Sequence, residues 1–413
     1  MPFNFKNSWR RWFLGSGTDE DRTMDLSITD GIFWTVYSNM TTPYLVAFAL
    51  LIIGPTAPVG YIIGIPYLIV PLAQYAAIVY SRRSPDLRNL TIKITLFDRI
   101  IWIAVSLLIF LRGYLLISVL LISFLTFRIF FSSFSGTTWT SWVPAAIGSK
   151  KRNLYFSKRN FFLRFFSLVG YGISSAVFFL LGDTREAYLT LFLGSLIFST
   201  ISLMVMRRIP PFRAEKEEGT VSDTTKRLFS YLIFTLLTGI GLSAFSPYLQ
   251  LYILSTNFLG LSPEIYTLVI TVIALSAISS QIYWGRLIEK IGNLRAILIS
   301  GVAISIVPLL TSFTHSFLIL MLAVILLGLM QSGFTLAAFN ELIFRSEKRR
   351  ISGVSVYSLV QALSVGAGPV IANFLFDINT SSLGSVFILC SALILTGSVY
   401  YYSIQRKERR KAI

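Results

Sequence analysis

Cysteine, histidine and charged side chains are all scarce in this chain of 413 residues, which has one Cys, one His and 13% charged residues. A lone thiol, Cys390, excludes an intrachain disulfide. Metal centres and metal-assisted catalysis need clustered Cys, His or carboxylate ligands, and no loop carries such a cluster or a paired carboxylate motif. We therefore expect no catalytic residues, no metal site and no cofactor, and we predict that the protein is not an enzyme.

Apolar residues dominate instead, at 54% of the chain with 15% aromatics, which is typical of membrane proteins. Apolar runs long enough to cross a hydrocarbon core of about 30 Å predict twelve spans and an all-α integral membrane protein. The predicted spans lie near 27–53, 57–80, 94–111, 115–143, 161–181, 187–206, 229–255, 264–284, 296–312, 317–343, 352–376 and 383–403.

The net charge of +17 raises the question of a nucleic-acid partner, which the positions of the basic residues answer. With the N-terminus in the cytoplasm, all but three of the 36 Lys and Arg fall on inner segments or within the first six residues of a span that starts there. The exceptions are Arg112 and Arg185 on the outer side and Arg128 within span four. This positive-inside pattern predicts a multi-pass protein of the cell membrane with both termini cytoplasmic. No nucleic-acid-binding module remains outside the spans, so we expect no such partner.

The only sizeable inner loop, RRIPPFRAEKEEGTVSDTTKR at 207–227, is rich in Pro, Gly, Ser and mixed charge and reads as a linker. It divides the spans six and six. The predicted organisation is a cytoplasmic segment 1–25, a six-helix bundle 26–206, a linker 207–228, a second six-helix bundle 229–404 and a cytoplasmic tail 405–413.

A glycine-containing charged loop, WGRLIEKIGNLRAIL at 284–298, interrupts the apolar runs around it. It resembles the loop motif of the major facilitator superfamily, G-x-x-x-[D/E]-[R/K]-x-G-x-x-[R/K]. The resemblance implies twelve transmembrane helices in two pseudo-symmetric six-helix bundles, a monomer, and transport of a small-molecule substrate by alternating access. The matching residues are Gly285, Glu289, Lys290, Gly292 and Arg295.

Each part of this motif has a physical interpretation. Gly285 would let two helix ends approach closely, Gly292 would permit a tight turn, and the charges would lock or release helix ends as the halves rock. The alternative is a generic basic inner turn. The corresponding loop at 81–91 departs from the pattern, because Ser81 and Arg88 replace the glycines.

The segment WTSWVPAAIGSKKRNLYFSKRN at 139–160 resembles a run in some prokaryotic members of the superfamily. Trp139 and Trp142 in it are predicted to anchor at the membrane interface rather than to contact a ligand.

Strong polar side chains deep in a span are costly and should face the interior of a bundle. Asn39, Arg128, Gln331 and Gln361, in spans one, four, ten and eleven, lie roughly 14–21 Å from their span ends at about 1.5 Å per residue. They are the predicted substrate-binding residues. Spans three, six, nine and twelve show only Ser, Thr or Cys at mid-depth, and the resemblance implies that these helices lie outside the central cavity.

Arg128 has two interpretations: a structural arginine satisfied by carbonyls or a neighbouring acid, or a contact for a substrate. No acid is predicted at its depth, so we favour the second. A guanidinium fork suits a carboxylate or phosphate, which favours an organic anion or another polar metabolite. The alternatives that stay open are neutral solutes such as sugars, a multidrug or amphiphile exporter of the same superfamily, and a membrane sensor that does not transport.

Three acids, Asp30, Asp98 and Glu341, are predicted near the cytoplasmic ends of spans one, three and ten. Each is either a helix-end charge or a proton-coupling residue. Coupling to protons or another ion and uniport both remain open at this stage.

The topology is tested by cysteine labelling in a Cys390→Ser background. Cysteines placed at Thr220 or Lys407 should react with a membrane-impermeant maleimide only after permeabilisation, whereas one at His315, in a predicted outer loop, should react in intact cells. Labelling of either inner position in intact cells would overturn the topology.

Overall fold

The computed structural model describes residues 18–84, 86–211, 222–345, 350–376 and 383–411. Residues 1–17 of the predicted N-terminal segment, 212–221 of the predicted linker and 412–413 of the predicted tail lie outside the described residues. Within the described ranges the chain is helical and contains no β-strand. The helices are α1 (Asp19–Thr41), α2 (Leu45–Ile53), α3 (Val59–Leu68), α4 (Val70–Arg83), α5 (Leu87–Leu107), α6 (Tyr114–Trp142), α7 (Ser149–Leu181), α8 (Arg185–Met206), α9 (Ser222–Leu254), α10 (Pro263–Ile291), α11 (Asn293–Phe313), α12 (Phe317–Arg345), α13 (Arg350–Leu375) and α14 (Leu383–Lys411).

Two of the predicted spans are interrupted by proline. Span one consists of α1 and α2, joined by a 3₁₀ turn at Thr42–Tyr44 that contains Pro43. Span two consists of α3 and α4, and α4 carries Pro71 in its first turn. Proline has no backbone N–H and its ring crowds the preceding turn, so a continuous helix is broken at these points.

Eleven helical segments within the described ranges are long and apolar enough to cross a membrane, which confirms the predicted all-α integral membrane architecture. They correspond to every predicted span except the third. That span is α5, whose apolar run contains Lys93, Asp98 and Arg99. Its 21 residues are nonetheless about 30 Å long at 1.5 Å per residue, which is enough to cross the hydrocarbon core.

Contacts between Cα atoms divide the chain into two compact units. The first comprises Met1–Ile52 and Ile69–Glu217, and the second comprises Ile53–Leu68 and Glu218–Ile413. Helix α3 therefore belongs to the second unit, where it packs on α9 and α13. The division of the sequence into bundles at 26–206 and 229–404 stays a prediction.

A hydrophobic cluster in the first unit holds together the ends of α1, α5, α6, α7 and α8 that lie nearest Met24. Trp142 is fully buried in this cluster, and its indole nitrogen donates to the carbonyl of Pro210 at 3.1 Å. The prediction that Trp142 anchors at the membrane interface is therefore wrong. Its ring belongs to a buried cluster with Met24 and Ile209, and the Pro210 carbonyl satisfies its only polar atom. Tyr155, buried in the same cluster, shares a 2.5 Å hydrogen bond with Ser27.

Glycines allow close backbone contact in the second unit. A Cβ placed on Gly64 of α3 would lie 2.5 Å from the carbonyl oxygen of Gly366 on α13, so these helices touch backbone to backbone. The amide of Gly60 donates to the Asn373 side chain at 3.1 Å, which ties the first turn of α3 to the last turn of α13. Small residues of this kind are typical of helix contacts in membranes.

Candidate functional site

A buried charge cluster lies near the middle of α5 and α6 in the first unit. Asp98 and Arg99 are on α5 and Arg128 is on α6, with exposed fractions of 3%, 7% and 6%. The Arg99 Nη1 atom lies 2.8 Å from Asp98 Oδ2, and Arg128 Nε lies 3.7 Å from Asp98 Oδ1. One carboxylate thus stands between two guanidinium groups.

This cluster corrects three predictions. An acid does pair with Arg128, Asp98 does not lie near the end of its span, and span three is not free of strong polar groups. The physical reason is that α5 begins at Leu87 rather than near residue 94, which moves Asp98 eleven residues, or about 16 Å, into the helix. The adjacent Asp98 and Arg99 within the apolar run LFDRIIWIAV are the sequence signal that points to a buried ion pair.

Aromatic rings cover both guanidinium groups. The Arg99 carbon Cζ lies 4.1 Å from the ring centre of Tyr37 on α1, and the Arg128 Cζ lies 4.9 Å from that of Trp102 on α5. Tyr37 and Trp102 themselves meet edge to face at 6.4 Å. Cation–π contacts of this kind gain strength when the cation is desolvated. Sequence reasoning missed Tyr37, Arg99 and Trp102 as members of the site.

Hydrogen bonding in the cluster is incomplete. Arg128 Nη2 donates to the hydroxyl of Thr42 at 3.5 Å, near the limit of a hydrogen bond. Several buried polar atoms have no hydrogen-bond partner among the described residues, and such atoms call for water or a ligand. In this cluster they are the Tyr37 hydroxyl oxygen, Asp98 Oδ1, Arg99 Nε, Trp102 Nε1 and Arg128 Nε.

Asp30 has a different environment. It lies on α1, eleven residues from the start of the helix, is 3% exposed, and accepts a 2.6 Å hydrogen bond from Ser202 on α8. No Lys or Arg nitrogen of the described residues lies within 4 Å of it. The Arg159 guanidinium lies against the neighbouring Gly31 and over the ring of Trp139 at 4.5 Å. Asp30 is therefore not a helix-end charge, because α1 begins at Asp19.

Glu341 lies near the end of α12 in the second unit, as predicted, and forms an ion pair. Its Oε1 atom accepts from Arg345 Nε at 3.0 Å and from the Tyr401 hydroxyl at 2.9 Å. Arg345 also donates to Gln405, whose amide donates to Ser230 on α9 at 3.1 Å. These bonds join the ends of α12 and α14 to the first half of α9.

The other predicted substrate-binding residues, Asn39, Gln331 and Gln361, are half-buried. Asn39, in the first unit, donates to the carbonyl of Thr35 one turn earlier at 2.8 Å. Gln331 and Gln361 are half-buried residues of the second unit. Their role in binding stays a prediction.

The charged loop between α10 and α11 confirms one part of its interpretation. Gly292 has φ = 82° and ψ = 159°, a conformation that side-chain-bearing residues rarely adopt, so the predicted turn is confirmed. Nothing among the described residues lies within 4 Å of a Cβ added at Gly285, so the predicted close approach of helix ends there is wrong. Glu289, Lys290 and Arg295 are exposed, without an ion pair to a described residue.

Comparison with known proteins adds a family match to the C-terminal part of the chain and a similar fold over most of its length. The family profile of the Major Facilitator Superfamily matches residues 228–413. No curated protein gives a significant match. Solved structures with a similar fold include a bacterial homologue of the iron transporter ferroportin (TM-score 0.71, 15% identity, 92% of this chain and 98% of that chain). Others are the nucleoside transporter NupG (0.67, 11%, 92% and 98%) and the xylose transporter XylE from E. coli (0.68, 9%, 92% and 96%).

The two motif glycines should respond differently to alanine. Gly292→Ala should lower stability by about 1–3 kcal/mol, because Ala is strained in this backbone conformation. Gly285→Ala should raise it by roughly 0.5–1 kcal/mol, since the site is open and Ala favours helix. Thermal unfolding of the purified variants measures both. Equal effects would show that the conformation of Gly292 imposes no special requirement.

Proposed function

We propose that this protein is a secondary transporter of the major facilitator superfamily that moves a small organic solute across the cell membrane by alternating access. The superfamily profile matches residues 228–413, and the fold is similar to that of solved transporters. The observation that carries this proposal is a fold shared over 92% of the chain with transporters of several substrate classes. The family and fold are those of transporters and not of enzymes. A sensor that kept the fold without transport is the alternative, and flux in proteoliposomes separates the two.

An organic anion is the substrate class that the first unit supports best. Arg128 does have an acid beside it, Asp98, so a missing counter-charge cannot be the ground for an anionic substrate. The cluster still has two guanidinium groups and one carboxylate, so a positive charge is left over in a buried setting. Such an excess attracts an anion and repels a lipophilic cation, which disfavours an exporter of cationic drugs.

Among the three acids, we assign proton coupling to Asp30. Asp98 faces two cations, and Glu341 is bonded to Arg345 and Tyr401. Asp30 alone of the three is buried without an ion pair to a described residue. A buried carboxylate without a cation is costly in its charged form, which suits it to take up and release a proton.

The remaining predicted residues have supporting roles in this proposal. Asn39, Gln331 and Gln361 supply neutral hydrogen bonds to the substrate. We assign gating to the charged segment around Gly292, which sets the turn between α10 and α11. Its exposed charges Glu289, Lys290 and Arg295 are available to pair with other groups when the conformation changes, and Gly285 stays a predicted member of this gating motif.

The substrate class is tested by melting the purified protein with sugars, organic acids, amino acids and amphiphilic cations, since a bound ligand stabilises the folded state. An organic acid should give the largest shift. Arg128→Gln should weaken its binding at least tenfold, about 1.4 kcal/mol, and Arg128→Lys should recover only part, because Lys lacks the planar fork.

Arg164→Gln is the matched control for this experiment. Arg164 is a half-buried arginine of α7 without an ion pair to a described residue, so its loss should leave binding unchanged. Stabilisation by a sugar or a cation that survives Arg128→Gln would contradict the anion proposal.

Coupling is tested in proteoliposomes with the substrate found in that screen. Asp30→Asn should abolish uptake driven by a pH gradient while exchange without a gradient continues. Glu341→Gln should instead destabilise the protein by roughly 1–3 kcal/mol, because it removes the acid that accepts from the half-buried Arg345 and from Tyr401. Gradient-driven uptake by Asp30→Asn at the normal rate would remove Asp30 from the coupling step.

A further inference from the structure

The two ion pairs of Asp98 are unequal. Arg99 makes a hydrogen-bonded contact of 2.8 Å with Oδ2, whereas Arg128 Nε stands 3.7 Å from Oδ1, beyond hydrogen-bond distance. The unpaired state of both Oδ1 and Nε shows that no other described group replaces this missing bond. Asp98 is therefore held mainly by Arg99 and only loosely by Arg128.

Arg128 is left with more donors than partners. A guanidinium has five N–H groups, and the only hydrogen bond that Arg128 makes to a described residue is the 3.5 Å contact with Thr42. The face of its guanidinium rests on Trp102, so the edge that carries the N–H groups is the part that still needs acceptors. An oxyanion with two oxygens fits that edge in a bidentate manner.

The charges of the buried cluster limit how many negative charges such an anion can carry. Asp98, Arg99 and Arg128 sum to one positive charge. Arg159 and Asp30 cancel each other when Asp30 is ionised, so the excess stays at one positive charge in that state. A buried site is most favourable when the occupied state has no uncompensated charge. An anion with one negative charge neutralises the excess positive charge, whereas an anion with two leaves an uncompensated negative charge.

We propose that Asp98 is a replaceable counter-ion that sets the charge of the substrate: a monoanion binds Arg128 in place of Asp98 Oδ1, while Asp98 stays on Arg99. Asp98 is a positioning residue in this scheme, since it acts through the two arginines. The inference rests on the proposed transport of an organic anion and narrows it to singly charged carboxylates or similar oxyanions.

Propionate and malonate test the proposal, because both are three-carbon acids and they carry one and two negative charges at neutral pH. Their dissociation constants are measured from the melting temperature of the purified full-length protein at constant ionic strength. The wild-type protein should prefer propionate. Asp98→Asn raises the excess to two positive charges and should shift the ratio of the two constants at least tenfold toward malonate.

Two further variants separate charge from structure. Arg99→Gln removes the excess and should weaken binding of both acids at least tenfold. The double variant Asp98→Asn, Arg99→Gln restores one positive charge and should restore the preference for propionate, which a purely structural role for Asp98 would not do. If Asp98→Asn alone does not fold, these two variants still show whether Asp98 sets the charge of the substrate. Glu186→Gln, a change of an exposed acid in the same unit, should have no effect.

The outcomes distinguish this inference from the function on which it rests. If the acids bind but the ratio stays within threefold of wild type in Asp98→Asn, or the double variant does not restore the preference, Asp98 does not set substrate charge and the anion proposal stands alone. If neither acid stabilises the wild type or any variant, the inference is overturned together with the anionic substrate.

Discussion

A charge buried among apolar helices must find its counter-charge inside the protein, and this requirement organises the first unit. Arg128 and Arg99 reach the same carboxylate from two helices, and aromatic rings on α1 and α5 cover their guanidinium faces. Breaking a buried pair leaves an uncompensated charge, which costs several kcal/mol. The cluster therefore links α1, α5 and α6. Its two arginines and one aspartate leave one excess positive charge, which supports an anionic substrate.

The second unit satisfies the same requirement in a different place. Its buried acid, Glu341, is balanced one to one by Arg345 near the end of α12, with Tyr401 as a further donor. No excess charge remains there, and the bonds tie helix ends together. In the first unit the charges lie near the middle of α5 and α6. Both units are helical, but their buried ion pairs lie at different positions along the helices. A substrate contact is therefore expected in the first unit, where the charges lie near the middle of the helices.

The errors in the predicted site have one main source, the position of a helix end. Hydropathy begins span three near residue 94, because Lys93 and the residues before it look like a loop. In the structure Asp86 caps α5, its side chain accepting from the amide of Asn89 at 3.1 Å, and the helix begins at Leu87. That shift of about two turns carries Asp98 from the end of the helix to its middle. A capping aspartate is visible in a sequence, but a nearby proline and basic residues masked it.

The sequence by itself determined the membrane-spanning helices, the glycine turn at Gly292 and the polar residues that have to avoid lipid. These follow from local properties: apolar length, backbone freedom and the cost of burying a charge. Only the tertiary structure decided that Asp98 belongs to Arg128 and Arg99, that Asp30 has no cation within 4 Å among the described residues, and that Trp142 is a core residue. Those facts depend on which helices are neighbours and how they are rotated, and side chains far apart in the chain meet only when the helices pack.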